Sequence, residues 1–265
     1  GGNLDLDATD SIAISLLNST ATITVDSTSG AITDADTDSG DDITGDSSVA
    51  LSAATGIGSG NALETTIDNL AFDNSGSNNV QIDNTGGLTI ASVSGVTTSD
   101  NANGNVVLTA SSPITFAVDT SASGDLTANA TESAADTDDI TVNSGVTVSS
   151  TGGGTGTFNA GDDIILTDNT SIVSSTVSTG QVILNSGVSD TDNVGTQTLN
   201  GQVNANTTDG IVTINLNADG SADDSTAGTI TSFELLLLSS GASTPSFTLD
   251  NDGHDVSQLA ANTSG

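Results

Sequence analysis

The residues best equipped for chemistry in this chain are carboxylates set in adjacent pairs: Asp41–Asp42, Asp138–Asp139, Asp162–Asp163 and Asp223–Asp224. The first three pairs are each followed directly by Ile. Paired carboxylates support two kinds of chemistry. An acid and a base on either side of a glycosidic bond hydrolyse it. Several oxygens converging on one point hold a hard cation such as Ca²⁺. The densest acidic stretch, "TDADTDSGDDITGD" (33–46), places Asp34, Asp36 and Asp38 at alternate positions, as an oxygen-rich calcium loop does. It departs from the helix-loop-helix calcium pattern, with Ser39 where Gly is needed and Gly45 where the bidentate Glu belongs. The candidate calcium ligands are Asp34, Asp36, Asp38, Asp41, Asp42, Asp138, Asp139, Asp162 and Asp163, and no other cofactor is expected. The competing reading is a solvated acidic turn that keeps the molecule soluble.

Other reactive groups are scarce. His254, in "DNDGHDVSQL", is the single histidine, flanked by Asp252 and Asp255. One imidazole without Cys or further His makes a poor transition-metal site, so it reads as a turn residue. Five N-x-S/T sequons, at Asn18, Asn129, Asn169, Asn206 and Asn262, permit glycosylation. A polysaccharide hydrolase or lyase is the least expected activity. Uronate recognition and lyase chemistry call for Lys or Arg, and sugar stacking calls for Trp or Tyr; the chain has none of these.

The whole composition points the same way. Thirty-four Asp and Glu stand against no Lys, no Arg and one His, a formal charge of −34 over 265 residues. Nucleic-acid binding is excluded, because phosphate neutralisation needs cationic side chains. Acidic polymers and anionic membranes are repelled unless a divalent cation bridges them. Without Cys, neither disulfides nor thiolate metal sites contribute. The longest purely apolar run, Leu235–Leu238, is far short of the ~20 residues that span a bilayer. No basic and apolar leader opens the chain and no Met occurs, so a processed product or a piece of something longer is expected.

Positioning these acids requires ordered elements, and composition alone leaves that open. Leu, Ile, Val and Phe total 62 residues, about 23% and just above the ~20% below which high charge predicts disorder. Spacing decides the matter. "DDITVNSG" (138–145), "VTVSSTGG" (146–153) and "GTGTFNAG" (154–161) are followed by "DDIILTDN" (162–169), "TSIVSSTVS" (170–178) and "TGQVILNSG" (179–187). Asp138/Asp162, Ser149/Ser174 and Asn159/Asn185 match at offsets of 24, 25 and 26 residues. Short β-branched runs bounded by Gly, Asn and Asp are strands, and a fixed period of this length marks a solenoid. Three strands per 24–26-residue rung predict an all-β fold, a parallel β-helix (β-solenoid), as a single continuous unit over 1–265.

Several local expectations follow. The Asp pairs mark one corner of each rung and face outward, while the following Ile turns in. Gly2, Gly104, Gly124 and Gly180, in "GNLDL", "GNVVL", "GDLTA" and "GQVIL", suit a corner with positive φ. Stacked Asn residues such as Asn159 and Asn185 form a hydrogen-bonded ladder. Extra residues near "SDTDNVGTQTLNG" (189–201) form a loop inserted at one corner. "FELLLL" (233–238) breaks alternation and reads as a strand covered on both faces. Ten or eleven rungs at ~4.8 Å make a rod about 50 Å long. Its charges then lie roughly 1.5 Å apart, near the ~1.7 Å of duplex DNA, so a cation atmosphere is expected. Residues 69–95 are similar to 234–265, with Val80–Asn84 matching Phe247–Asn251 at an offset of 167, as in a segment of a tandem-repeat chain with a unit of about 170 residues.

"FNAGDDIIL", "QVILNSG", "SFTLDN" and "LTASSPITF" resemble the repeat regions of large secreted bacterial adhesins of the filamentous-haemagglutinin type. The resemblance implies a right-handed parallel β-helix exported to the cell surface. The function expected first is an extracellular structural β-solenoid, forming a microbial surface fibre, stalk or sheath by self-association or as part of a longer chain. A chain without Lys or Arg offers trypsin-like proteases no site, which suits that setting. The alternative is an adhesin segment that binds a surface or glycan, through calcium or through the loop near 189–201.

Overall fold

A computed structural model describes residues 2–36, 40–45, 48–133, 135–177, 179–191, 195–224, 227–240 and 244–263. Every regular element among them is a β-strand. Twenty-seven strands join in one sheet, and Ile12–Ile14 pairs with Ile32–Asp34 in a second. All ladders are parallel; among the described residues the antiparallel contact is a single bridge between Val93 and Val96. No helix among them is long and apolar enough to cross a membrane.

The chain winds as a parallel β-solenoid with three ladders. The first stacks eleven strands, from Leu4–Ala8 through Ser99–Asn101 and Thr147–Ser150 to Asp255–Asn262. The second runs from Val80–Asn84 through Leu126–Ala130, Thr155–Ala160, Gln181–Ser186 and Ile211–Leu216 into Thr229–Ser239. The third stacks Leu88–Ile90, Ile114–Phe116, Ile140–Val142, Ile164–Leu166, Gln197–Leu199, Ser221–Asp223 and Ser246–Thr248. Ser149 pairs with Ser174 and Asn159 with Asn185, as the repeat predicts. Ile140 pairs with Ile164, which sets Asp138 beside Asp162.

The rung length varies more than the repeat implies. Leu4 to Ile23 takes 19 residues, and Ile164 to Gln197 takes 33. The surplus in the long rung lies after Ser186, where the sequence predicts an inserted loop. Strands hold register while corners absorb insertions, because the strands carry the continuous runs of ladder hydrogen bonds. Residues 69–95 and 234–265 stand one ladder apart: Val80–Asn84 lies in the second and Ser246–Thr248 in the third. Their likeness is therefore one of strand order, displaced by one face.

Alternation fills the interior. Val106, Leu108 and Ala110 are fully buried, while Val107 and Thr109 between them are half-exposed. Each inward Val, Ile or Leu contributes about 1.5–3 kcal/mol of apolar burial. Phe116 and Phe158 meet edge to face inside the core, ring centroids 6.3 Å apart. "FELLLL" keeps this alternation in space: Leu235 is buried and Leu237 packs on the core, whereas Leu236 and Leu238 stay half-exposed. Coverage on both faces is thus corrected, since nothing overlies its outer side enough to bury it.

The corners before the second ladder are closed by small residues and hydroxyls. Ser27, Ser150 and Ser175 are buried there and donate to the carbonyls of Asp10, Gly124 and Gly154 at 2.9, 2.6 and 2.6 Å. Gly104 and Gly124 serve a purpose other than the expected positive φ, which neither adopts. A Cβ on Gly104 would lie 2.0 Å from the Asn78 carbonyl oxygen, and one on Gly124 would lie 3.0 Å from that of Gly104. Close stacking of one rung on the next, not backbone twist, demands glycine there.

Candidate metal centres at the corners

Where the chain leaves a strand, the inter-rung ladder breaks and backbone N–H groups lose their carbonyl partners. A buried N–H without an acceptor costs on the order of 1–3 kcal/mol. The corner acids supply acceptors. Asp162 Oδ2 accepts from the Asp138 N–H at 2.7 Å, Asp139 Oδ1 from Asp163 at 3.2 Å, and Asp163 Oδ1 from Thr196 at 2.6 Å. Asp42 Oδ2 accepts from Glu64, Asp119 from Thr147 and Asp125 from Thr155. This placement corrects the expectation that the pairs face outward. One member of each pair turns inside: Asp42 and Asp138 are 2% exposed, Asp162 1% and Asp224 0%. Satisfying corner N–H groups outweighs full solvation of these carboxylates.

Two clusters bring three carboxylates together, with oxygens within 4.8 Å of one another: Asp34, Asp42 and Glu64, and Glu132, Asp138 and Asp162. In the first, Asn61 Nδ2 also donates to Asp34 Oδ2. Asp36 donates its backbone N–H to Asp34 Oδ1 at 2.9 Å, and Asp41 accepts from Thr66 Oγ1 at 2.8 Å, so neither carboxylate joins the cluster. Asp38 lies outside the described residues. In the second cluster, Asp138 Oδ2 accepts from the Ser133 N–H. Asp139 and Asp163 stack separately on the outer side of the same corner.

Glu64 and Glu132 are the members of these clusters that pattern reading misses. They are two of only three glutamates in the chain. That rarity was the available signal.

Burial and mutual repulsion set the electrostatics. Asp42 is pushed up to about 7, chiefly by desolvation and then by the charge of Asp34. Desolvation first and Asp34 second also raise Glu64. Burial raises Asp139, with Asp163 and Asp138 adding to it, and burial raises Asp163. On the outer side of the first ladder, burial and then Asp100 and Asp26 raise Asp73. Asp168 moves the other way, held low by the Ser144 and Thr170 hydroxyls. Groups that ionise at such cost take up a proton or a cation, and the oxygen-only donor sets suit a hard divalent ion.

His254 is more than a turn residue. Its Nε2 lies 2.6 Å from Oδ2 of the buried Asp224, and its Nδ1 accepts from the Ile230 N–H at 3.0 Å. Its partner comes from the preceding rung, not from the flanking Asp252 or Asp255. Both ring nitrogens are engaged, which leaves no free base at this position. Of the sequon asparagines, Asn18, Asn169 and Asn262 are exposed. Asn206 is held in its turn by Thr176 and Thr208, and Asn129 lies inside a side-chain ladder.

No protein-family model, curated protein or solved structure matches this chain.

Proposed function

We propose that this chain is an extracellular structural rod, part of a microbial surface fibre, stalk or sheath, with calcium taken up at its corner carboxylates. The observation that carries the reading is the separation of charge from ladder. All thirteen strands from Val106–Ala110 to Ile211–Leu216 lack carboxylates, and the acids of that region stand at the corners. Over those rungs repulsion is thereby confined to ridges that solvent and cations can reach, while the ladders stack without like charges opposed. The resemblance to adhesin repeat regions of the filamentous-haemagglutinin type supports the cell-surface setting. Asp34, Asp42 and Glu64 would hold one ion, and Glu132, Asp138 and Asp162 another. Imaging of the native extracellular material tests the role. Filaments or tethered rods that bind antibody to this chain and show a ~4.8 Å axial spacing are expected; antibody signal confined to the cell interior would overturn it.

A further inference from the structure

The outer surface of the second ladder carries a row of stacked asparagines that hold register and keep hydrogen-bonding capacity to spare. Asn159 Nδ2 donates to Asn129 Oδ1 at 2.8 Å, Asn185 to Asn159 at 2.7 Å, and Asn215 to Asn185 at 3.1 Å. Asn129 Nδ2 extends the row to Thr109 Oγ1 at 3.3 Å. The row crosses five rungs of a strip with no carboxylate in its strands, on a molecule of charge −34. A carboxamide has two N–H donors and two acceptor lone pairs, so the ladder uses half the capacity of Asn129, Asn159 and Asn185 and leaves the rest to a ligand.

A wall rises beside this row at the place where the repeat is broken. Thr191 donates its N–H and Oγ1–H toward Glu132 Oε1, at 3.1 and 2.6 Å, and so ties residues 187–191 to a corner two rungs away. Between that wall and the ladder lies a cavity of about 550 Å³, with Thr109, Asn129 and Asn159 along its floor, Val188 and Ser189 on its side, and Glu132 as its one carboxylate. A second, of about 520 Å³, opens on the far side of Val188 and Ser189, against Asp190, Asn217 and Ser240. Asn215 Nδ2 donates to Asn217 Oδ1 at 3.1 Å, which links this second floor to the same row.

We propose that the first of these cavities binds a neutral glycan chain, seated on Thr109, Asn129 and Asn159 along the solenoid axis. Anionic chains are repelled by the corner ridges. An apolar ligand would strand the amides and hydroxyls of the floor without partners. A polyhydroxylated chain supplies donors and acceptors at each step of a floor that repeats every ~4.8 Å. With Trp and Tyr absent there is no stacking platform, so affinity comes from repetition and grows with chain length. The site does not require fibre assembly, and the test on soluble single molecules is independent of it.

Titration calorimetry of the intact chain with neutral linear hexasaccharides of gluco, manno and xylo configuration, and with a hexagalacturonate, tests the site. Saturable binding of at least one neutral hexasaccharide is expected, several-fold weaker for its trisaccharide and undetectable for the uronate in chelator. Asn159→Ala, within the ladder, and Val188→Glu, on the wall and outside the ladder, should each weaken binding at least tenfold, with the β-rich circular dichroism retained. Binding by none of the neutral sugars, or binding that both variants leave unchanged, overturns the proposal.

Discussion

A carboxylate at a solenoid corner does two jobs that conflict: it accepts a backbone N–H best when drawn inside, and it keeps its charge best when left outside. Asp42 shows the cost most clearly, being 2% exposed and raised to about 7 by burial and by Asp34. Asp42→Asn keeps an oxygen acceptor for the Glu64 N–H and removes the charge. In chelator at pH 8 it should stabilise the protein by roughly 1–3 kcal/mol in urea denaturation, with the gain shrinking toward pH 5, where the native residue is protonated. At Gly161 a Cβ would lie 2.8 Å from both Asp138 Cβ and Glu132 Cα. Gly161→Ala should therefore cost about 1–3 kcal/mol, read by the same denaturation. The Asp pairs of both clusters stand out in the sequence because they repeat. Glu64 and Glu132 do not, since which side chain reaches a neighbouring rung depends on corner lengths that vary from one turn to the next.

At the scale of the strand, the ladder and the core it encloses hold the fold. Phe158 is 1% exposed and meets Phe116 edge to face in the core, so Phe158→Ala should destabilise by about 3–5 kcal/mol in urea. A much smaller loss would mean that neighbouring rungs collapse into the space. Register between residues 138 and 187 is legible from the sequence because three landmark residues recur there at nearly equal spacing. Elsewhere rungs lengthen and shorten by several residues, and the same strands carry no landmark. The glycines preceding second-ladder strands are legible as corner markers, but their reason is not: contact with the carbonyl of the adjacent rung is a property of stacked turns, invisible in any one of them. Likewise the uneven hydropathy of "FELLLL" conceals an alternation that the strand's position in the ladder imposes.

Across the whole molecule the raised acids act in concert. Asp42, Glu64, Asp73, Asp139 and Asp163 are all raised from their ordinary values, and Asp168 alone among the resolved shifts is lowered. For a raised acid, the folded state binds its proton more tightly than the unfolded chain does. The destabilisation therefore begins as pH climbs through the usual carboxylate range, near 4, and is complete above the raised value, about 7 for Asp42. Without divalent cations the melting temperature should fall between pH 5 and pH 8, opposite in sign to ordinary acid denaturation; a melt that rises across that interval would contradict the raised values of these acids. Calcium should cancel the fall by replacing the proton. Thermal unfolding at pH 8, in chelator and in millimolar calcium at matched ionic strength, tests this most directly. Each site occupied at a hundredfold excess over its dissociation constant adds about 2.7 kcal/mol, so a melt several degrees higher in calcium is predicted, and an unchanged melt would contradict the account of these corners as cation sites.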